Sequence, residues 1–295
     1  MNKKYIHLAN NETLAYLEKG SGSKTLILIH GNFSSSMYYL PLFNRLPEDI
    51  HTYAMDLRGY GDSTYFQRVL SLKDFAKDIK LFMDALHIEK AFIVGWSLGG
   101  GVAMELAAHY PERVEKLVLI NSSTHKGYPV FKKDESGKAI VGAAYVNADE
   151  MALDPIQVKP LAEAQSGKNF AFVKYIFDIT IYTVNKPTEE ETFLYINESL
   201  KQRNLADADF ALASQNMSDV ANFYKDGEKT IHNVTMPVLH IWGTKDITVP
   251  EYMILENIKA LETVSTYVRF EECGHSPLVD KPDDLTKEIL KFIEK

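Results

Sequence analysis

The sequence predicts an α/β protein, a mostly parallel sheet flanked by helices with a helical segment inserted into it. Three observations predict this. Short continuous apolar runs such as Thr25–Ile29 read as strands buried on both faces. They alternate with helix-patterned runs across short loops, the rhythm of βαβ units. The alternation stops near Ser122 and resumes at Pro237, with polar, helix-patterned sequence between.

The elements follow in order. Lys4–Leu8 and Leu14–Glu18 read as opening strands, and Gly20–Ser23 as a turn before the Thr25–Ile29 strand. Met37–Leu46 has helical spacing, and His51–Met55 is a short strand. Ser71 followed by Asp74 is a capping pattern that opens a helix to about His87. Phe75, Ile79, Phe82, Met83 and Leu86 share its apolar face. Ala91–Val94 is a strand, Leu98–His109 a helix and Lys116–Ile120 a strand. The expected inserted helices are Phe170–Tyr182, Glu189–Gln202 and Ala206–Phe223, with no strong strand among them. Pro237–Ile241, Glu251–Leu261, Thr266–Phe270 and Asp283–Ile293 then read as strand, helix, strand and helix. The expected division is a core of residues 1–122 and 234–295, with 123–233 as a helical cap.

Composition narrows the function. A length of 295 residues suits one large domain, or one domain with a sizeable insertion. The formal net charge of -8 offers no basic stripe for a nucleic-acid partner. No run approaches the 18 or so apolar residues of a membrane span, so no membrane insertion is expected. No signal peptide is read in Met1–Asn10, and a single cysteine, Cys273, excludes an intrachain disulfide. The expectation is a cytoplasmic protein, monomer or homodimer. No metal-ligand spacing occurs, neither HExxH nor a cysteine pair, so no metal or cofactor is expected. Gly20–Thr25 and Gly59-Tyr60-Gly61 only faintly resemble phosphate- and dinucleotide-binding loops. The first precedes a strand instead of joining strand to helix, and the second lacks a third glycine.

One short stretch points to chemistry. Gly95-Trp96-Ser97-Leu98-Gly99 lies between an apolar strand and a helix. A serine hydroxyl is held above a sheet by a sharp, strained turn whose flanking positions must be nearly free of side chain. Gly95 and Gly99 meet that need. The pentapeptide alone is a weak signal, and its setting is the stronger one. Serine needs a base, and the base an orienting acid. Of nine histidines, most sit in strands or at helix ends, where a structural role is the plainer reading. His275 lies in a loop between the last strand and the last helix, where functional residues collect. Asp246 follows the Pro237–Ile241 strand, and its competing reading is a turn or capping aspartate. The loop Asn121-Ser122-Ser123 offers no acid. Ser97, Asp246 and His275 are therefore the expected catalytic residues. The expected oxyanion donors are the backbone amides of Asn32 and Leu98. Phe33 and Trp96 flank those donors and are the expected pocket residues. His30 is read as shaping its loop, and Asp56–Ser63 as a brace behind the site.

Taken together, these residues resemble the α/β-hydrolase family along nearly the whole chain. The resemblance rests on the His30-Gly31-Asn32 loop, Asp56–Ser63, the Gly95–Gly99 elbow, Pro111–Asn121, Gly243–Pro250 and Cys273–Pro277. It implies an α/β-hydrolase fold with an eight-stranded type of sheet, and a cap between the sixth and seventh strands. It further implies a serine carboxylesterase acting through an acyl-enzyme on small to medium apolar acyl esters. A lactonase, for example of acyl-homoserine lactones, or a C–C bond hydrolase would use the same residues. A low-turnover ligand-binding receptor is the reading from another class. The partner is in each case a small molecule, an ester or lactone for the favoured readings.

Overall fold

The computed structural model describes residues 2–294. These residues form ten strands and eleven α-helices, two of the strands in a separate hairpin. The strands are β1 (Lys4–His7), β2 (Thr13–Lys19), β3 (Lys24–Ile29), β4 (Ile50–Met55), β5 (Ala91–Trp96), β6 (Val114–Ile120), β7 (Phe131–Lys133), β8 (Ala139–Ala144), β9 (Val238–Gly243) and β10 (Ser265–Phe270). The helices are α1 (Leu40–Phe43), α2 (Leu72–Ala85), α3 (Leu98–His109), α4 (Ala148–Met151), α5 (Lys159–Ser166), α6 (Phe170–Thr180), α7 (Glu189–Ser199), α8 (Leu205–Ala213), α9 (Glu251–Ala260), α10 (Pro277–Asp280) and α11 (Pro282–Glu294).

Eight strands form one sheet in the order β1-β2-β4-β3-β5-β6-β9-β10. β1 and β2 are antiparallel to their neighbours, and the other six run parallel. Side chains alternate between the two faces of the sheet. Ile27 and Ile29 join one apolar cluster with Phe75, Ile79 and Phe82 of α2 and Val102 of α3. Leu26 and Leu28 join another on the opposite face with Leu285, Ile289 and Ile293 of α11. Ser71 and Asp74 form the expected capping box on α2. Leu86 closes that helix at its C-cap and packs partly buried against the first cluster.

Three expectations are corrected. Met37–Leu46 is not one helix. A 3-10 turn over Ser36–Tyr39 runs into α1, which ends at Phe43. The helix expected over Ala206–Phe223 stops at Ala213, because polar side chains downstream hydrogen-bond the backbone instead. Asn216 donates to the Val220 and Lys225 carbonyls, and the Asn222 side chain accepts from the Tyr224 and Lys225 amides. The 123–233 segment is also not wholly helical, since β7 and β8 form an antiparallel hairpin in it. Its turn is built by Asp134, which accepts from the Ser136 and Lys138 amides. β8 is largely exposed, so it has no buried apolar face to give an alternating pattern.

Candidate active site

Ladder register brings several strand ends to one edge of the sheet. Ile29 pairs with Gly95, Trp96 with Ile120, Ile120 with Ile241, and Gly243 with Phe270. The segments that leave this edge carry His30–Phe33, Ser97, Asn121, Asp246 and His275.

Ser97 has φ 56° and ψ −121°, strained for a residue with a side chain. The close packing around it explains the glycines. A Cβ on Gly95 would lie 2.3 Å from the Gly99 carbonyl oxygen, and one on Gly99 2.2 Å from that of Ile29. Neither contact can relax, because both partners are backbone. Leu98 opens α3, so its N–H has no intrahelical acceptor.

His275 and Asp246 are buried and directly joined, Nδ1 to Oδ2 at 2.8 Å. The same Oδ2 accepts the Asn121 side-chain amide at 2.6 Å. The other oxygen, Oδ1, accepts the backbone N–H groups of Thr248 and Val249 at 2.8 and 2.9 Å. The carboxylate is thus held by four donors, which fixes its orientation. Asn121 also donates to the Gly274 carbonyl at 3.2 Å. The Asn121–Ser123 loop has no acid, and its contribution to the site is this amide, which the sequence pattern did not mark. Its place at the end of a parallel strand was the available signal.

Trp96 donates from Nε1 to the His275 carbonyl at 2.8 Å. Gly31 packs against the elbow, where an added Cβ would be 3.1 Å from that of Ser97. Among the described residues, neither the Asn32 nor the Leu98 N–H donates to a protein acceptor. Phe33 has φ 55°, a second strained position in the same loop. Its N–H is taken by Asn32 Oδ1 at 3.0 Å and its carbonyl by the Ser199 hydroxyl at 2.6 Å. His30 is held on both ring nitrogens. Nδ1 lies 2.7 Å from the Gly31 carbonyl, and Nε2 accepts from the Leu57 amide at 3.0 Å. Burial pushes its pKa down to about 4, consistent with a neutral, loop-shaping ring. Asp56 braces the loop by accepting the Ser36 and Asp62 amides.

A cavity of about 440 Å³ opens over Ser97, within the range of small-molecule sites. Gly31, Asn32, Phe33, Trp96, Ser97 and His275 lie on its wall. The 123–233 segment supplies much of the rest, with Ile156, Leu161, Phe172, Ile176, Phe177 and Leu212. Of the aromatics in that segment, Tyr128, Phe172 and Phe177 reach the wall, while Tyr145 and Tyr182 are packed in the adjoining core. Asp209 also lies on the wall, and no sequence pattern marked it. Away from the cavity, Asp56, Asp62 and Glu198 place carboxylate oxygens within 4.8 Å of one another, a spacing that could hold a cation. The Lys3 ammonium fills that position, 2.7, 2.9 and 2.6 Å from the three. No helix among the described residues is long and apolar enough to cross a membrane.

This architecture, a mostly parallel sheet with a strained strand-to-helix turn at one edge, defines the class. The chain belongs to the α/β hydrolase fold family, whose sequence profile matches residues 24–282, and it is a hydrolase of that family. A pimeloyl-(acyl-carrier protein) methyl ester esterase of Aliivibrio salmonicida (strain LFI1238) is 25% identical over 282 residues, covering 96% of each chain. A 2-hydroxy-6-oxononadienedioate/2-hydroxy-6-oxononatrienedioate hydrolase of Paraburkholderia phymatum is 24% identical over 298 residues, 98% of this chain and 95% of that one. The solved structure of an esterase from Exiguobacterium antarcticum aligns over all of both chains with a TM-score of 0.75 and 20% identity.

Proposed function

We propose that this protein is a serine hydrolase of carboxylic esters, working through an acyl-enzyme. Ser97 Oγ attacks the ester carbonyl while His275 Nε2 takes its proton. Asp246 holds the imidazole by Nδ1 and stabilises the imidazolium that forms. The Asn32 and Leu98 amides bind the oxyanion. His275 returns the proton to the leaving alcohol, then activates the water that cleaves the acyl-enzyme. Residues 123–233 act as the cap that closes over the acyl chain.

The observation that carries this reading is the 2.8 Å Asp246–His275 pair beside a strained serine on the wall of one cavity. Ser97 Oγ has no protein hydrogen-bond partner among the described residues, and such contacts often tighten only with substrate bound. The largely apolar wall favours small to medium acyl groups. Among the described residues, no lysine or arginine lines the cavity. That argues against a C–C hydrolase of carboxylate-bearing substrates, which would meet the Asp209 carboxyl with no cation to pair.

The test is hydrolysis of p-nitrophenyl esters from acetate to dodecanoate, with a lactone panel beside it, by wild type and Ser97→Ala. Turnover should fall about 10⁴-fold or more in the variant, and the best acyl length reports cavity depth. Turnover on lactones alone would move the reading to a lactonase. Slow stoichiometric labelling without turnover would move it to a ligand-binding protein. Full activity in Ser97→Ala would refute the mechanism.

A further inference from the structure

The cavity holds one carboxyl that the proposed mechanism does not use. Asp209, on α8, accepts a hydrogen bond from Asn32 Nδ2 to its Oδ1 at 2.5 Å. Its Oδ2 has no protein donor among the described residues, and the surface it keeps lies on the cavity wall. Among the described residues, no lysine or arginine stands on that wall to pair with it. Burial pushes its pKa up to about 7, with Asp154 adding to the shift. A lone carboxyl in an apolar wall costs folding free energy, so it does not serve packing. Its place is specific. Asn32, whose backbone N–H is the proposed oxyanion donor, holds it by the side chain. The carboxyl is therefore one side chain removed from the expected position of the scissile carbonyl.

We propose that Asp209 is a specificity-determining residue that hydrogen-bonds a hydroxyl on the substrate's acyl chain, so that hydroxy-acyl esters are preferred over plain acyl esters. A hydroxyl is the group that fits. It donates to a carboxylate, and it can also accept from a carboxylic acid. An ammonium would pair only with the charged form, and a substrate carboxylate only with the neutral one. Rejecting an analogue that lacks the hydroxyl follows from leaving a buried polar group unpaired.

This inference rests on the ester-hydrolase reading, and the experiment separates the two. kcat/KM is measured at pH 7 for methyl hexanoate and its 2-hydroxy, 3-hydroxy and 3-methoxy derivatives. The proteins are wild type, Asp209→Asn and Asp209→Leu, each checked for folding by circular dichroism and thermal melting. Wild type should prefer one hydroxy ester over the parent by about tenfold or more, and the preferred position locates the carboxyl. Asp209→Leu should bring the ratio to about one. Asp209→Asn should keep part of it and gain activity on the methoxy ester, since an amide can donate. Equal ratios in wild type and Asp209→Leu would overturn the proposal, as would a wild type that prefers neither hydroxy ester. Calorimetric affinities of the same ligands for Ser97→Ala and for Ser97→Ala/Asp209→Leu need no turnover. Should no ester be hydrolysed, the ester reading fails and those affinities alone decide the subsite. A hydroxyl-dependent difference that Asp209→Leu removes supports it, and equal affinities refute it.

Discussion

Asn121 offers a test of how the site is held, using Asn121→Gly and Asn121→Ala. Its side chain is fully buried and donates to Asp246 Oδ2 at 2.6 Å and to the Gly274 carbonyl at 3.2 Å. A hydrogen bond to an ionised group contributes about 1.5–3 kcal/mol, and the longer one to a carbonyl about 0.5–1 kcal/mol. Removing the side chain also removes Asn121 Oδ1, which is buried without a partner, and this offsets about 1 kcal/mol. The net cost of Asn121→Gly is about 2 kcal/mol. Asn121 has φ 43°, which glycine adopts freely and alanine does not. Asn121→Ala should therefore cost about 1 kcal/mol more than Asn121→Gly. Urea unfolding measures both. On an ester that the wild type hydrolyses, well below the melting transition, Asn121→Gly should lower kcat about tenfold with KM nearly unchanged. The reason is that Asp246 loses one of the three donors that orient it toward His275. A loss below about 0.5 kcal/mol, an alanine variant no worse than the glycine one, or an effect on KM alone would refute this reasoning.

Three further outcomes are expected. In Gly100→Ala the new Cβ would lie 2.2 Å from Ser122 Oγ and 2.5 Å from its Cβ. The variant should lose about 1–3 kcal/mol, and Ser122→Gly should restore most of it by differential scanning calorimetry, whereas additive losses would contradict the contact. Lys3→Met strips Asp56 of its ammonium partner, while Asp62 and Glu198 keep Lys201, and should cost about 3 kcal/mol at pH 8. Protonation relieves a carboxylate buried without a cation, so the cost should shrink as pH falls to 5. An equal cost in urea at both pH values would count against it. For Asp209, a pKa raised to about 7 means the folded state prefers the protonated acid. That contribution is complete below the unfolded value of about 4 and is lost as pH rises through about 7. Asp209→Asn should accordingly gain stability relative to wild type from pH 5 to pH 8. A constant difference in urea midpoints across that range would rule out the shift.

Much of the sheet was legible because buried parallel strands are continuous apolar runs. Leu26–Ile29 is buried on both faces and could hardly be read otherwise. The Ser97 elbow was legible because the close packing of Gly95 and Gly99 admits no side chain. The 123–233 segment was harder to read. β8 has no buried face, and α8 is ended by Asn216 and Asn222, whose effect depends on where the chain folds back. Asn121 and Asp209 escaped for a related reason. What sets them apart is the partner each meets, Asp246 across 125 positions and Asn32 across 177. No local pattern encodes such a meeting.

The loop after β3 is tied to the 123–233 segment from several sides. The Asn32 side chain bonds Gln202 and Asp209, and the neighbouring Phe33 carbonyl takes the Ser199 hydroxyl. On the proposed reading, Asn32 supplies half of the oxyanion hole. Lifting the segment away to admit substrate would release the anchors of that donor, and closure would restore them. Access and reactivity would then exclude each other. An open molecule would present a serine without a complete oxyanion hole, and passing esters or electrophiles would meet a weak nucleophile. Only a ligand that lets the segment settle back would find the full machinery, so fit to the cavity would act as an interlock on the chemistry.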